Sequence, residues 1–153
     1  MNKGWSFESS DWDKLPAMLV EQNWKQAKFI ENEEMLVEDS AGVYMFVTSV
    51  PRKSNNIFGE LRVPIYIGLS NNLKRRFKEH LGIRGSGHDE LLNARSCFGN
   101  KLDFYFIKIE DTDELRNIEQ SLFNCFGPIV NKINSIKEGK AITFSFGKEE
   151  KIT

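Results

Sequence analysis

The chain has 153 residues, 40% hydrophobic and 28% charged, with twelve Phe and only two Cys. That is enough for one domain with its own core, and it excludes collagen-like, disordered and disulfide-stapled classes. No apolar run of ~18 residues occurs and the start has no signal-peptide stretch, so we expect a cytoplasmic protein without a membrane partner, Cys97 and Cys125 both reduced. The net charge of −1 hides a gradient: residues 1–40 sum to −5, 41–108 to +6 and 109–153 to −2. Lys74, Arg75, Arg76, Lys78, Arg84 and Arg95 cluster in the basic third, a surface for phosphates or a solvated helix face.

Residues 1–40 hold Trp5, Trp12 and Trp24 and predict a helix after Ser10, with Pro16 tolerated only in its first turn. We read this segment as an arm packed on the core, because large aromatics are mostly buried; the alternative is a surface that meets a partner through its tryptophans. Gly42–Thr48 and Val63–Leu69 are short, β-branched and aromatic, and predict two strands. Period-two alternation sets Val43, Met45 and Val47 against Tyr44 and Phe46, and Ile65, Ile67 and Leu69 against Tyr66, Gly68 and Ser70. If the aliphatic faces align, both tyrosines point the same way.

A helix from about Asn72 to Leu81 buries Leu73 and Phe77 and sets Arg76 and His80, four residues apart, side by side. A second, short helix is predicted within Ser86–Cys97, and Lys101–Glu110 reads as a central strand. Asp111 to Glu114 has capping-box spacing, and Gly127-Pro128 ends the helix it opens. Ala141–Phe146 alternates as a half-buried edge strand, completing an α/β arrangement.

On the third of these helices Leu115, Ile118, Leu122, Phe123 and Phe126 form the apolar stripe, and Glu119 falls inside it. Burying an unpaired charge costs several kcal/mol, so Glu119 must be protonated, paired with a cation such as Arg76, or bound to a metal.

In order, Gly42-Val43-Tyr44, Tyr66-Ile67-Gly68, then Leu73, Arg76 and His80, and finally Glu119, Leu122, Phe123, Phe126, Pro128 and Asn131 resemble the motifs of the GIY-YIG nuclease family. The resemblance covers residues 41–134, leaving 1–40 as an N-terminal helical arm and 135–153 as a C-terminal strand and tail. It implies an α+β fold with a small, largely antiparallel three-stranded sheet flanked by helices. It further implies a metal-dependent endonuclease hydrolysing DNA phosphodiester bonds, restriction-like or of the repair or mobile-element kind, with one Mg²⁺ or Mn²⁺ held by Glu119.

By the same resemblance Tyr44 is general base or water-positioning group, Tyr66 a phosphate or water ligand, and Arg76 the stabiliser of the scissile phosphate. His80 assists Tyr44 or contacts phosphate, and Asn131 holds the surroundings of Glu119. The rival reading is a catalytically silent module that binds nucleic acid or protein on the same scaffold.

Two features depart from the family. Leu69 stands where many relatives carry Lys, and the tyrosines are 22 positions apart because Ser49–Arg62 is inserted. That insertion carries Arg52, Lys53 and Arg62, which would enter a groove or track phosphates, or else form a hairpin tip without function. With Lys74, Arg75, Lys78, Arg84, His88 and Arg95 these complete the candidate DNA contacts, and a homodimer would supply two sites for cutting both strands.

Overall fold

Strand propensity from Gly42 onward builds a sheet that helices cover on both faces. The computed structural model describes residues 9–50, 57, 59–82, 89–98, 101–128 and 130–131. In chain order these form helix α1 (Ser9–Met18), strand β1 (Lys25–Lys28), β2 (Gly42–Val50), β3 (Leu61–Ser70), α2 (Leu73–His80), α3 (Asp89–Phe98), β4 (Leu102–Lys108) and α4 (Thr112–Phe126). The strands make one antiparallel sheet of order β1-β4-β2-β3. Among the described residues no helix is long and apolar enough to cross a membrane.

The small antiparallel sheet flanked by helices agrees with expectation, and β2 and β4 are its central strands. The arm adds a fourth strand, β1, whose sequence Lys-Gln-Ala-Lys carries no strand signal; only Ala27 is buried there, and pairing with Asp103–Phe106 of β4 makes it a strand. Pro16 lies in the last turn of α1, not the first, so the helix forgoes the bond that an N–H at position 16 would make to the carbonyl four residues back, close to where it ends. The proposed strand at 141–146 lies outside the described residues.

Period two sorts the side chains as expected. Tyr44, Phe46, Phe104 and Phe106 face Leu73 and Phe77 of α2 and Leu91 of α3. Val43, Met45, Val47 and Ile67 face Leu115 and Leu122 of α4, with Leu15 and Met18 of α1 packed alongside. One side chain changes sides. The ladder shifts between Phe46 and Val47, an extra residue in β3 that puts Ile65 in the tyrosine-side core rather than with Ile67 and Leu69. Of the arm's tryptophans, Trp24 is half-buried with its indole N–H donating to the Met18 carbonyl at 2.8 Å, Trp12 is 43% exposed, and Trp5 lies outside the described residues.

Candidate functional site

Tyr44 projects from a central strand into the α2 side of the sheet and is buried. Its Oη lies 2.8 Å from Nε2 of His80, and its ring stacks on Tyr66 with centroids 6.0 Å apart. The Tyr66 and His80 rings approach to 5.7 Å, so two phenols and an imidazole form one cluster. Gly68 makes the room. It pairs with Tyr44 across the strands, and a Cβ there would stand 2.6 Å from Cζ and Oη of Tyr44. Gly42 is required for a different reason: its Cβ would fall 2.1 Å from the Ile107 carbonyl oxygen of β4.

Burial, and after it the neighbouring Tyr66 phenol, holds Tyr44 well above the usual tyrosine range; the Arg76 charge pulls it down and the Glu119 charge pushes it up.

His80 reaches the cluster because α2 starts where it does. The Asn72 side chain accepts from the Arg75 N–H at 2.8 Å, and carbonyls of Ser40 and Glu38 accept from the N–H groups of Leu73 and Lys74. One helical turn then separates Arg76 from His80, which is 1% exposed rather than the surface histidine its composition alone would suggest. Arg76 is half-buried, with Nη1 3.0 Å from Glu79. Its Nε is buried and has no hydrogen-bond partner among the described residues. Glu79 was not among the sequence candidates; its i,i+3 spacing from Arg76 was the available signal.

Glu119 is 4% exposed, in the middle of the α4 stripe as the helical angle predicted. The helix is fixed at its start by Asp111, whose side chain accepts from the Glu114 N–H at 2.7 Å, and at its end by Gly127 in the left-handed conformation, φ 48°. After that turn Asn131 clasps β3. Its Oδ1 accepts from the Ile67 N–H and its Nδ2 donates to the Ile67 carbonyl, each at 2.8 Å. Asn131, expected to hold the surroundings of Glu119, has its amide committed to the strand backbone between Tyr66 and Gly68.

The candidate DNA contacts divide. Arg52, Lys53, Arg84 and His88 lie outside the described residues. Arg62 is not at the tyrosine face: it lines a groove of about 380 Å³ on the opposite face, with Trp24, Met45, Val47 and Tyr105, and donates to the Tyr105 hydroxyl at 3.0 Å. Before the Ile65 bulge the even-numbered residues of β3 point that way. Arg95 is also occupied, its guanidinium 5.7 Å over the Phe29 ring and bonded to the Leu81 carbonyl at 3.4 Å. Arg75 bonds to the Asn71 side chain and pairs with Glu79 at 3.6 Å. Lys74 and Lys78 are half-buried on the helix that carries Arg76 and His80.

A central tyrosine on an antiparallel sheet, a following helix with arginine and histidine, and a later helix with a buried glutamate define a class of catalytic domain. The family model of the GIY-YIG catalytic domain matches residues 41–134, and the chain belongs to that family of nucleases. No curated protein matches the chain by sequence. Among solved structures it is similar to the GIY-YIG N-terminal endonuclease domain of UvrC from Thermotoga maritima bound to magnesium, with 21% identity, a TM-score of 0.45, and 64% of this chain and 90% of that one covered. A point mutant of that domain bound to its catalytic divalent cation gives 20% identity, a TM-score of 0.45, and coverage of 64% and 89%.

Proposed function

We propose that this chain is a metal-dependent endonuclease that hydrolyses DNA phosphodiester bonds at the Tyr44–Arg76–Glu119 cluster. The observation that carries this is the buried Glu119 carboxylate in the apolar stripe of α4, in a chain whose buried Tyr44 phenol is bonded to His80. A silent binding scaffold has no need to bury a carboxylate and two phenols, because each costs desolvation.

The donor set fits a hard divalent cation. Among the described residues no three His, Cys, Asp or Glu side chains gather, so Glu119 would be the one protein carboxylate, as suits Mg²⁺ or Mn²⁺, which keep waters and take phosphate oxygens. When bound, such an ion supplies Lewis-acid polarisation of the phosphate and a more acidic water.

The other roles belong to the chain's own groups. Arg76 brings the Nε donor described above together with a fork held by Glu79, and it stabilises charge gathering on the scissile phosphate. Tyr44 is neutral at neutral pH and so is no ready-made phenolate. Its oxygen accepts the proton of the attacking water while its own proton passes to Nε2 of His80, with no phenolate accumulating. Tyr66, stacked on Tyr44, orients the water or a phosphate oxygen. This route dispenses with a lysine after the second motif, where Leu69 packs with the α4-side core.

The test is cleavage of supercoiled and linear DNA with Mg²⁺, Mn²⁺ or EDTA, run beside Glu119→Ala and Tyr44→Phe. Cutting by the parent alone, abolished by EDTA, is expected; binding without cutting under every condition would favour the silent module. Analytical centrifugation with DNA would show whether a homodimer forms.

A further inference from the structure

The arm lies outside the residues that the family model matches, yet α1 packs along α4 and makes a buried polar contact there. Asp11, 6% exposed, accepts from Nδ2 of Asn124 at 3.1 Å, and Oδ1 of Asn124 in turn accepts from Nε2 of Gln120 at 2.9 Å. Lys14 stands 3.7 Å from Asp11 at the rim, and bonds from Asn124 and Ser121 hold the Asp11 carboxyl below its usual range.

Position on the helix gives this contact its meaning. At ~100° per residue, Gln120, Ser121 and Asn124 are rotated ~100–160° from Glu119, on the far side of α4. Leu115 and Leu122, close to Glu119 in angle, face the sheet. The helix is therefore held between sheet and arm, and the arm presses on the side opposite the carboxylate. Apolar packing alone tolerates small rotations and slides of a helix, whereas a buried carboxylate–amide pair has one satisfactory geometry.

We infer that the Asp11–Asn124 clasp is a positioning device: the N-terminal arm fixes the rotation of α4 and thereby aims Glu119 at the tyrosine cluster. This rests on the proposed role of Glu119 as metal ligand. Asp11 and Asn124 themselves touch neither metal nor DNA; they act through the helix.

The experiment separates positioning from stability. In the full chain, Asp11→Leu with Asn124→Leu replaces the clasp by apolar packing. We expect it to keep the parent's circular dichroism and melting temperature, yet to bind Mn²⁺, read by electron paramagnetic resonance without DNA, about 10- to 100-fold more weakly, as loss of outer-shell support does elsewhere. Faster amide exchange across α4 should accompany the loss. The exchanged pair, Asp11→Asn with Asn124→Asp, keeps one amide donating to one carboxylate and should restore binding.

A Leu/Leu protein that binds Mn²⁺ and cuts like the parent would overturn the inference, as would an exchanged pair no better than Leu/Leu. Glu119→Ala distinguishes the two levels. If it binds Mn²⁺ like the parent, the metal assignment fails and the inference with it; if it loses binding while Leu/Leu does not, only the arm's role fails.

Discussion

The phenol of Tyr44 occupies the space that a side chain on Gly68 would need, with Cζ and Oη each 2.6 Å from where that Cβ would stand. The pairing of these two residues across β2 and β3 explains why a glycine follows Tyr66-Ile67. Tyr44 cannot retreat, because Phe46 and Phe104 pack on its ring at centroid distances of 6.0 and 5.2 Å.

Gly68→Ala should therefore displace the Tyr44 ring and break its bond to His80. Overpacking of this kind costs about 1–3 kcal/mol, and a displacement near 1 Å in an active site lowers rate about 100-fold. Urea unfolding and cleavage kinetics on the same protein check both; parental activity would show that the ring has another place to go.

Tyr44→Phe keeps the stacking and removes the hydroxyl. We expect a loss of about 100- to 10,000-fold in kcat with little change in DNA affinity, as for a lost proton-transfer group. His80→Gln should fall in the same direction, and the double variant should be scarcely worse than either single one, because the two groups act as a unit. Single-turnover cleavage with saturating protein measures this.

The high pKa of Tyr44 gives a pH signature. From pH ~10 upward the unfolded chain releases the phenolic proton and the folded one retains it, so the folded state binds more protons and stability must fall as pH rises. Tyr105, raised mainly by burial, acts in the same direction. Tyr44→Phe should flatten the decline in melting temperature above pH ~10 and leave the profile below it unchanged. An identical slope in parent and variant would mean that Tyr44 ionises in the folded protein as it does in water.

Asn131 serves both hydrogen-bonding groups of Ile67 on the outer edge of β3. Asn131→Ala leaves them without that partner, at a cost of about 1–3 kcal/mol. Because Ile67 sits between Tyr66 and Gly68, cleavage should fall by more than the loss of folded protein accounts for. Amide exchange at Ile67 should rise; if it does not, the clasp is dispensable.

Cys97 is exposed and Cys125 buried, with burial raising the Cys125 thiol. A maleimide should label Cys97 in the native protein and both cysteines after denaturation, which mass spectrometry of the peptides resolves. Native labelling of Cys125 would show that α4 opens readily.

The sequence by itself determined most of what is local or periodic. Alternation in Gly42–Thr48 set the two faces of β2, capping residues placed the ends of α4, and helical angle singled out Glu119 as an acid within an apolar stripe. Those signals depend on neighbours a few residues apart. Only the tertiary structure decided that Lys25–Lys28 becomes a strand, since β4 and not its own composition supplies the pairing. It likewise decided that His80 is buried against Tyr44, that the Ile65 bulge turns Arg62 to the opposite face, and that Arg95 is spent on Phe29. The same holds for Asp11, whose partner Asn124 is 113 residues away. Contacts between distant segments leave no period in a single chain, so chemistry and spacing reveal which residues are unusual, while the packing of helices on the sheet determines which of them meet.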